Sequence, residues 1–405
     1  MKTPGASQDP IHLPKGFLFS AVAAGVKVSG RPDLALIEAA AGTTAAAVFT
    51  KNRVVAAPLQ VGKASLVATK GRVRAVVVNS GNANCATGPA GVSACHRICR
   101  ETARLLGVRN EEVFPSSTGI IGVPLPVEKI SAKLPELIAA RQATGPGLNQ
   151  FVKAIMTTDL RPKLASAQFR SRKNVVTLTG VAKGSGMIHP QLATMLVYLC
   201  TDVAAGSAEL KRLLRGTCDQ TFNCISVDGD TSTNDTVLLL ASGQSGVRLK
   251  DAGVRKKFAA ALLHICQSLA GQIVRDGEGV QHVIHLFIDE AKNRAEALRV
   301  AKAIARSALV KTAWAGADPN WGRILAAAGA CGVPIQPERV EIAIGEQVVF
   351  RNGKAHSFDE AEAHRELSQP CCNVRVKLRR GRSGVLFHTT DLTAEYVRIN
   401  AEYST

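Results

Sequence analysis

Short apolar runs alternate with helical patterns along most of the chain. The clearest runs are rich in β-branched residues and have the length of buried strands, at 72–79, 175–181, 194–200 and 236–240. Elsewhere apolar residues recur every three or four positions, which predicts helices, the longest at 92–106, 252–274 and 293–308. A chain that interleaves both kinds of element predicts a protein of the mixed α/β (α+β) class.

The length of 405 residues exceeds what one compact core usually holds, so two domains are expected. After residue 280 the pattern changes to a βα series. It contains a strand hairpin at 340–350 around Gly345, and further strands at 374–378 and 384–390. We therefore expect a main domain over 1–280 and a smaller C-terminal α/β domain over 281–405.

Composition restricts the cellular setting. Hydrophobic residues make up 46% of the chain and charged residues 20%, as in ordinary globular proteins. No apolar run approaches the roughly 20 residues that span a bilayer, and residues 1–15 lack the apolar centre of a signal peptide. A cytoplasmic protein without a membrane partner is expected.

The ten cysteines are thinly spread, which favours buried thiols over disulfides. Cys95, His96 and Cys99 lack further ligands at a metal-binding spacing. Residues 226–235 are similar to a calcium loop but have no closing glutamate. No metal site is therefore predicted.

The net charge of +18 admits two kinds of anionic partner. Nucleic acids attract basic surfaces, but aromatic residues are only 4% of the chain and the basic residues are scattered. Small carboxylate or phosphorylated substrates fit a diffuse positive field equally well. Charge leaves both open, and we expect small-molecule substrates and no nucleic-acid partner.

Two segments have side chains suited to acyl-transfer chemistry. Thr194 lies where the loop Lys183-Gly184-Ser185-Gly186 and its continuation enter an apolar strand, so its hydroxyl would be held firmly yet within reach, as a nucleophile requires. Residues 116–122 form a small, polar, glycine-containing string that could present backbone N–H groups to an oxyanion. From these local features alone, an ordinary strand start and an ordinary turn remain the favoured interpretations.

The whole string from Lys183 to Leu196 closely resembles the self-cleaving segment of the ornithine acetyltransferases, the glutamate N-acetyltransferases of arginine biosynthesis. The resemblance extends from end to end and in family order, through the segments 49–53, 79–84, 117–119, 156–159, 275–279, 318–323 and 396–405.

The resemblance implies that the chain cuts itself between Ala193 and Thr194, giving an alpha piece, 1–193, and a beta piece, 194–405. Thr194 would be the nucleophile, with its freed α-amino group or an adjacent water as general base, and Thr118 and Gly119 would stabilise the oxyanion. The residues implied in substrate binding are Thr157 or Thr158, Lys183, Thr194, Glu278, Asn400 and Thr405.

The implied reaction is ping-pong transfer of acetyl from N2-acetyl-L-ornithine, through acetyl-Thr194, to L-glutamate. No bound cofactor and no metal are implied, and use of acetyl-CoA as a second donor stays open. The family fold is a helix–sheet–sheet–helix sandwich with a smaller C-terminal domain, assembled as a heterotetramer of two alpha and two beta pieces. The nearest alternative is an N-terminal-nucleophile amidase or aminopeptidase, which would hydrolyse the acyl group.

The residue types agree with this chemistry. An internal threonine has no basic nitrogen of its own, whereas cleavage before Thr194 would create an α-amine of pKa about 8. Lys183 carries the charge to bind a substrate carboxylate, and Glu278 the charge to bind an ornithine ammonium. Considered without the family resemblance, Lys183 and Glu278 are equally consistent with ordinary solvent-exposed surface residues.

Overall fold

The computed structural model describes residues 10–189 and 195–402, and it falls into two compact units. The first comprises Met1–Gly184, Gln191–Asn223 and Thr231–Ile273, and the second comprises Ser185–Pro190, Cys224–Asp230 and Val274–Thr405. The second unit thus contains two short segments from the middle of the chain. The predicted single boundary near residue 280 would have placed both segments in the first domain.

The first unit contains two sheets and their covering helices. Its strands are β1 (Phe17–Val22), β2 (Leu34–Ala39), β3 (Thr44–Phe49), β4 (Ala75–Asn82), β5 (Val113–Ile120), β6 (Lys163–Ser171), β7 (Asn174–Lys183), β8 (Leu196–Thr201) and β9 (Thr236–Ala241). Its helices are α1 (Ala57–Ala68), α2 (Gly88–Leu106), α3 (Val127–Ala139), α4 (Gly145–Ile155), α5 (Ser207–Gln220) and α6 (Ala252–Arg275), the last of which continues into the second unit.

These elements form layers. One sheet has the order β1-β2-β4-β5 and the other the order β3-β9-β8-β7-β6. Apolar side chains of both sheets, such as Ile37 and Tyr198, share one core. The outer face of the first sheet packs on α2 and α3. The second sheet packs on α6 at Gly180. The packing is so close that a Cβ added to Gly180 would lie within 3 Å of Ile265 and Leu269. The helix–sheet–sheet–helix arrangement is confirmed.

The sequence interpretation of residues 116–122 as a turn was wrong for residues 116–120. Residues 116–120 continue β5, which runs parallel to β4. Ser117 tolerates this buried position because its hydroxyl donates to the Asn79 side chain of β4 at 2.6 Å.

The second unit is built on one mixed sheet. Its strands are β10 (Val283–Ala291), β11 (Glu341–Ile344), β12 (Gln347–Arg351), β13 (Lys354–Ala355), β14 (Cys371–Lys377) and β15 (Ser383–Thr390), and its other helices are α7 (Arg294–Arg306), α8 (Ala308–Ala315), α9 (Trp321–Gly329), α10 (Glu360–Leu367) and α11 (Ala394–Glu402). The sheet order is β13-β12-β11-β14-β10-β15. The predicted hairpin is confirmed: β11 and β12 are antiparallel and turn at Gly345, whose φ is +54°.

All ten cysteines are free thiols and most are buried, as the sequence predicted. Among the described helices, α6 alone is long and apolar enough to pass a length-and-composition test for a membrane span, and half of the tested window is buried. Core helices pass the same test, so this result carries little weight.

Candidate active site

The parallel strands β4 and β5 approach each other unusually closely at their C-terminal ends. Ser80 pairs with Thr118 and Gly81 with Gly119, and the register shifts immediately afterwards. Gly119 has φ +133°, and a Cβ there would lie 2.3 Å from the carbonyl carbon of Gly81. Only glycine fits this position, because the obstacle is backbone and cannot rotate away.

Lys183 joins this strand pair to the other sheet of the first unit. Its ammonium donates to the Thr118 Oγ1 at 2.9 Å, and both side chains are buried. Because a lysine ammonium only donates, the Thr118 oxygen must accept, which leaves its own hydroxyl hydrogen for another acceptor. The adjacent positive charge strengthens that donor. A polarised O–H next to a backbone fixed by glycine is suited to stabilise an oxyanion.

Asp159 is the buried anion of this region. Its Oδ1 accepts from the Lys163 ammonium at 2.6 Å and from the Gly184 N–H at 2.7 Å, and its Oδ2 accepts from the Thr157 N–H at 3.0 Å. Burial raises the pKa of Asp159, but the charges of Lys163 and Lys183 and the two hydrogen bonds to Oδ1 outweigh it and lower the pKa to about 2. The carboxylate therefore fixes both the segment after α4 and the residue that follows Lys183.

Asp159→Asn should destabilise the first unit by about 3–5 kcal/mol at pH 7, because it leaves the buried Lys163 without its anion. The folded pKa of Asp159 lies below its unfolded value, so its contribution is complete above about pH 4 and is lost as the pH falls toward 2. Urea midpoints of wild type and variant should therefore converge over that window. As a control, replacing the exposed Glu111 by Gln should leave the urea midpoint unchanged. A difference between the midpoints of wild type and Asp159→Asn that stays constant from pH 5 to pH 2 would contradict a stabilising charge on Asp159.

The string 79–84 supports the site. The Asn79 side chain accepts from Ser117 and donates to the Asn82 carbonyl, and that of Asn234 donates to the carbonyls of Ala83 and Ser117 at 2.7 and 2.9 Å. These amides hold the ends of β4 and β5 against the chain that precedes β9. The sequence around Asn234 contains no motif that predicts this role, because its partners lie far away in sequence.

Lys27 is a second cation that the sequence did not single out. Its ammonium donates to the carbonyls of Pro32 and Ala154 at 3.2 and 3.3 Å, and its Cγ would lie 3.0 Å from a Cβ at Gly81. Burial lowers the pKa of Lys27 to about 8, against the raising effect of Asp33. Lys27 lies in the loop between β1 and β2, and no sequence motif marks it as part of a site.

In the second unit, Glu278 and Asn400 come together. The Asn400 side chain donates to Glu278 Oε2 at 2.9 Å, although 122 residues separate the two. Gly186 makes room for the carboxylate, since a Cβ there would lie 2.3 Å from the same oxygen. The Glu278 N–H also donates to the Ser185 carbonyl at 3.0 Å. The carboxylate is thus held against a glycine backbone with an amide beside it.

The loop after Gly184 is held in a strained form. Met187 has φ +56°, which a side chain other than glycine adopts at a cost. Asp228 accepts from the N–H groups of Met187 and Ile188 at 2.5 and 2.9 Å. Burial, together with the charges of Lys302 and Arg306, lowers the pKa of His189 to about 4, so the imidazole is neutral at pH 7.

The structure therefore brings together part of the predicted site. Thr118, Gly119 and Lys183 meet in the first unit. Thr157 and Thr158 belong to the same unit, where the Thr157 N–H donates to Asp159. Glu278 and Asn400 meet in the second unit. Ala193, Thr194 and Thr405 lie outside the described residues. No group of three or more His, Cys, Asp or Glu within the described ranges could hold a metal ion.

The ArgJ family model matches residues 18–405 of this chain. The arginine biosynthesis bifunctional protein ArgJ of Thermus thermophilus is 44% identical over 396 residues, covering 98% of this chain and 100% of that protein. The protein of the same name from Methylococcus capsulatus is 42% identical, covering 96% and 95%. A crystal structure of ornithine acetyltransferase complexed with ornithine, from Mycobacterium tuberculosis, is 39% identical with a TM-score of 0.40, covering 44% of this chain and 94% of that one.

Proposed function

This chain belongs to the ArgJ family, and we infer from that membership that it is an acetyltransferase of arginine biosynthesis, which transfers acetyl from N2-acetyl-L-ornithine to L-glutamate. The observation that carries this conclusion is the match over nearly the whole length of relatives that are 42–44% identical. Local similarity confined to one motif would not have carried it.

We propose that Thr194 is the nucleophile and that Thr118 and Gly119 stabilise the oxyanion. Attack of the Thr194 hydroxyl on the acetyl carbonyl would form a tetrahedral intermediate, whose collapse would release ornithine and leave acetyl-Thr194. Attack by the glutamate amine would then free Thr194. The Lys183–Thr118 bond supports this proposal because it leaves the Thr118 O–H available as a donor. Removing one such donor typically costs about 10²- to 10³-fold in kcat.

Self-cleavage before Thr194 would begin with attack of the same hydroxyl on the Ala193 carbonyl, which moves the acyl group from the Thr194 nitrogen to its oxygen. Water would then hydrolyse this ester, leaving a carboxylate on Ala193 and a free hydroxyl on Thr194. The strained Met187 and the Asp228 contacts support this cleavage, since they fix the backbone a few residues upstream of the bond to be cut. Cleavage would release the new α-amino group of Thr194, which can accept the hydroxyl proton in each later half-reaction.

Charge suggests how the substrates are bound. Lys183 is proposed to attract a substrate carboxylate, and Glu278, supported by Asn400, an ammonium. Thr157 or Thr158 and the C-terminal Thr405 are proposed to complete substrate binding. A neutral asparagine amide beside Glu278 leaves the carboxylate its charge, as binding of an ammonium requires.

Three further properties are proposed from the family. The relatives' description as bifunctional supports acetyl-CoA as a second acetyl donor. Assembly would follow the pattern of two alpha and two beta pieces, which light scattering of the native enzyme would test. The ten free thiols support a cytoplasmic location.

Acetyl transfer is tested with acetylornithine labelled in its acetyl group. With glutamate present, label should appear in N-acetylglutamate, and without glutamate it should remain on the fragment 194–405. Label recovered as free acetate at the rate of substrate loss would instead establish the amidase alternative. Replacing acetylornithine by labelled acetyl-CoA in the same assay measures the second donor directly.

A further inference from the structure

Lys27 is a cation that lies beside the close approach of β4 and β5. The residue is half-buried, and its ammonium donates to the carbonyls of Pro32 and Ala154. Among the residues that the structure describes, no carboxylate forms an ion pair with it. A half-buried ammonium that contacts only neutral oxygens retains its attraction for an anion.

Asp33 fixes the main chain of Lys27 without pairing with its ammonium. The Asp33 Oδ1 accepts from the Ala24 N–H at 2.6 Å, and the Oδ2 accepts from the N–H groups of Val26 and Lys27 at 2.7 and 2.8 Å. Asp33 is fully buried, so these three N–H groups satisfy its carboxylate inside the loop between β1 and β2. The loop is therefore rigid at Lys27, and the lysine side chain projects from a fixed backbone.

The glycines at the ends of β4 and β5 place Lys27 next to the predicted oxyanion site. A Cβ at Gly81 would lie 3.0 Å from the Lys27 Cγ and 3.4 Å from the Lys27 nitrogen. Gly81 pairs with Gly119, and the preceding residue, Thr118, accepts from the Lys183 ammonium. Lys27 thus contacts the end of β4 and Lys183 the end of β5. Burial has the largest effect in lowering the pKa of Lys27, and the charge of Lys183 lowers it further.

The two substrates of the proposed reaction differ at one end. N2-acetyl-L-ornithine and L-glutamate share an α-carboxylate, which Lys183 is proposed to attract. The ornithine side chain ends in an ammonium, whereas the glutamate side chain ends in a second carboxylate. Glu278, proposed for the ammonium, has the wrong charge for that carboxylate. A ping-pong enzyme that admits both molecules in turn therefore needs a further cation for its acceptor.

We propose that Lys27 binds the side-chain carboxylate of the acceptor L-glutamate, an inference that rests on the proposed function. A charge-assisted hydrogen bond from the Lys27 ammonium to this carboxylate forms with glutamate and has no counterpart in ornithine. Lys27 therefore determines which acceptor is used, and it contributes nothing to binding of the donor.

A purely structural role for Lys27 makes a different prediction. Ala154 lies in the last turn of α4, where carbonyl groups attract cations, and the Ser80 hydroxyl donates to the same carbonyl. A lysine that only caps this helix would affect stability and would affect both substrates alike. A lysine that binds the acceptor would affect glutamate alone.

Lys27→Gln tests the proposal with L-glutamine as an alternative acceptor, because glutamine has an amide in place of the side-chain carboxylate. The variant keeps N–H donors for the Pro32 and Ala154 carbonyls and loses the charge. Its kcat/KM for glutamate should fall about 10- to 100-fold through KM, the usual effect of one hydrogen bond to a charged group. Its kcat/KM for glutamine should change little, so the wild-type preference for glutamate should disappear.

Three controls accompany this measurement. The donor half-reaction, followed as label retained on the fragment 194–405 without an acceptor, should change little in Lys27→Gln. Lys27→Arg keeps the charge and should keep the preference for glutamate. Lys129→Gln is the matched control, because Lys129 is an exposed lysine that donates to the Gly25 carbonyl of the same loop. It should behave as wild type with both acceptors.

Several outcomes would overturn the proposal: a wild type that accepts glutamine as readily as glutamate, a Lys27→Gln enzyme that keeps the preference, or equal losses with both acceptors. If Lys27→Gln forms no acetyl-enzyme, Lys27→Arg decides alone, since a retained preference supports the proposal and a lost one overturns it. A wild type that transfers no acetyl to any acceptor would instead refute the proposed function, and this inference with it.

Discussion

Thr194→Ala is expected to give one full-length band on denaturing electrophoresis, where the wild type gives fragments 1–193 and 194–405 of similar size. Acetyl transfer to glutamate should fall below detection. Both losses have one cause: the variant has neither a hydroxyl to attack the Ala193 carbonyl nor the α-amine that cleavage would create. General-base assistance alone typically contributes 10²- to 10⁴-fold, and here the nucleophile is lost as well.

Two variants make that result specific. Thr201→Ala removes a buried threonine from the other end of β8, where its hydroxyl donates to the Thr177 carbonyl at 2.8 Å. This change should cost about 1 kcal/mol of stability and leave cleavage and transfer intact. Thr194→Ser keeps a hydroxyl and should cleave, although more slowly. If Thr194→Ala produced the two fragments, the nucleophile would have to be another residue.

Much of the fold followed from the pattern of apolar residues, because that pattern records which faces are buried. The runs at 175–181 and 236–240 became central strands, and the 252–274 pattern became α6. Residues 116–120 misled the same reasoning, because serine, threonine and glycine look like a turn when their partners are unknown. Their strand conformation depends on β4, on Asn79 and on Asn234, which lie far away in sequence.

The site residues were predicted from sequence motifs, so residues outside those motifs were not identified. Resemblance paired Glu278 with Asn400 in one list of substrate residues, and the structure places the two in contact. Asp159 was not recognisable as an important residue, since its significance lies in the buried Lys163 ammonium and the Gly184 N–H that the fold brings to it.

Gly119→Ala should reduce both self-cleavage and kcat by at least about 100-fold, the size of effect expected when a donor of an oxyanion hole is displaced. The added Cβ would lie 2.3 Å from the Gly81 carbonyl carbon and 2.5 Å from the Asn82 nitrogen, so the ends of β4 and β5 must separate. That movement shifts Thr118 relative to Lys183. Cleavage is measured by electrophoresis, and kcat with labelled acetylornithine on the cleaved fraction.

Gly122→Ala separates this effect from simple backbone strain. Gly122 also has positive φ, +87°, but a Cβ there meets no atom within 4 Å. Its substitution should cost about 1–2 kcal/mol of stability for the left-handed conformation and little activity. Equal losses in the two variants would mean that strain in the segment, rather than contact between the strands, limits the enzyme. A large loss confined to Gly119→Ala would instead tie catalysis to the close approach of two backbones, which explains why a buried sheet should end in glycine at the point where chemistry is proposed.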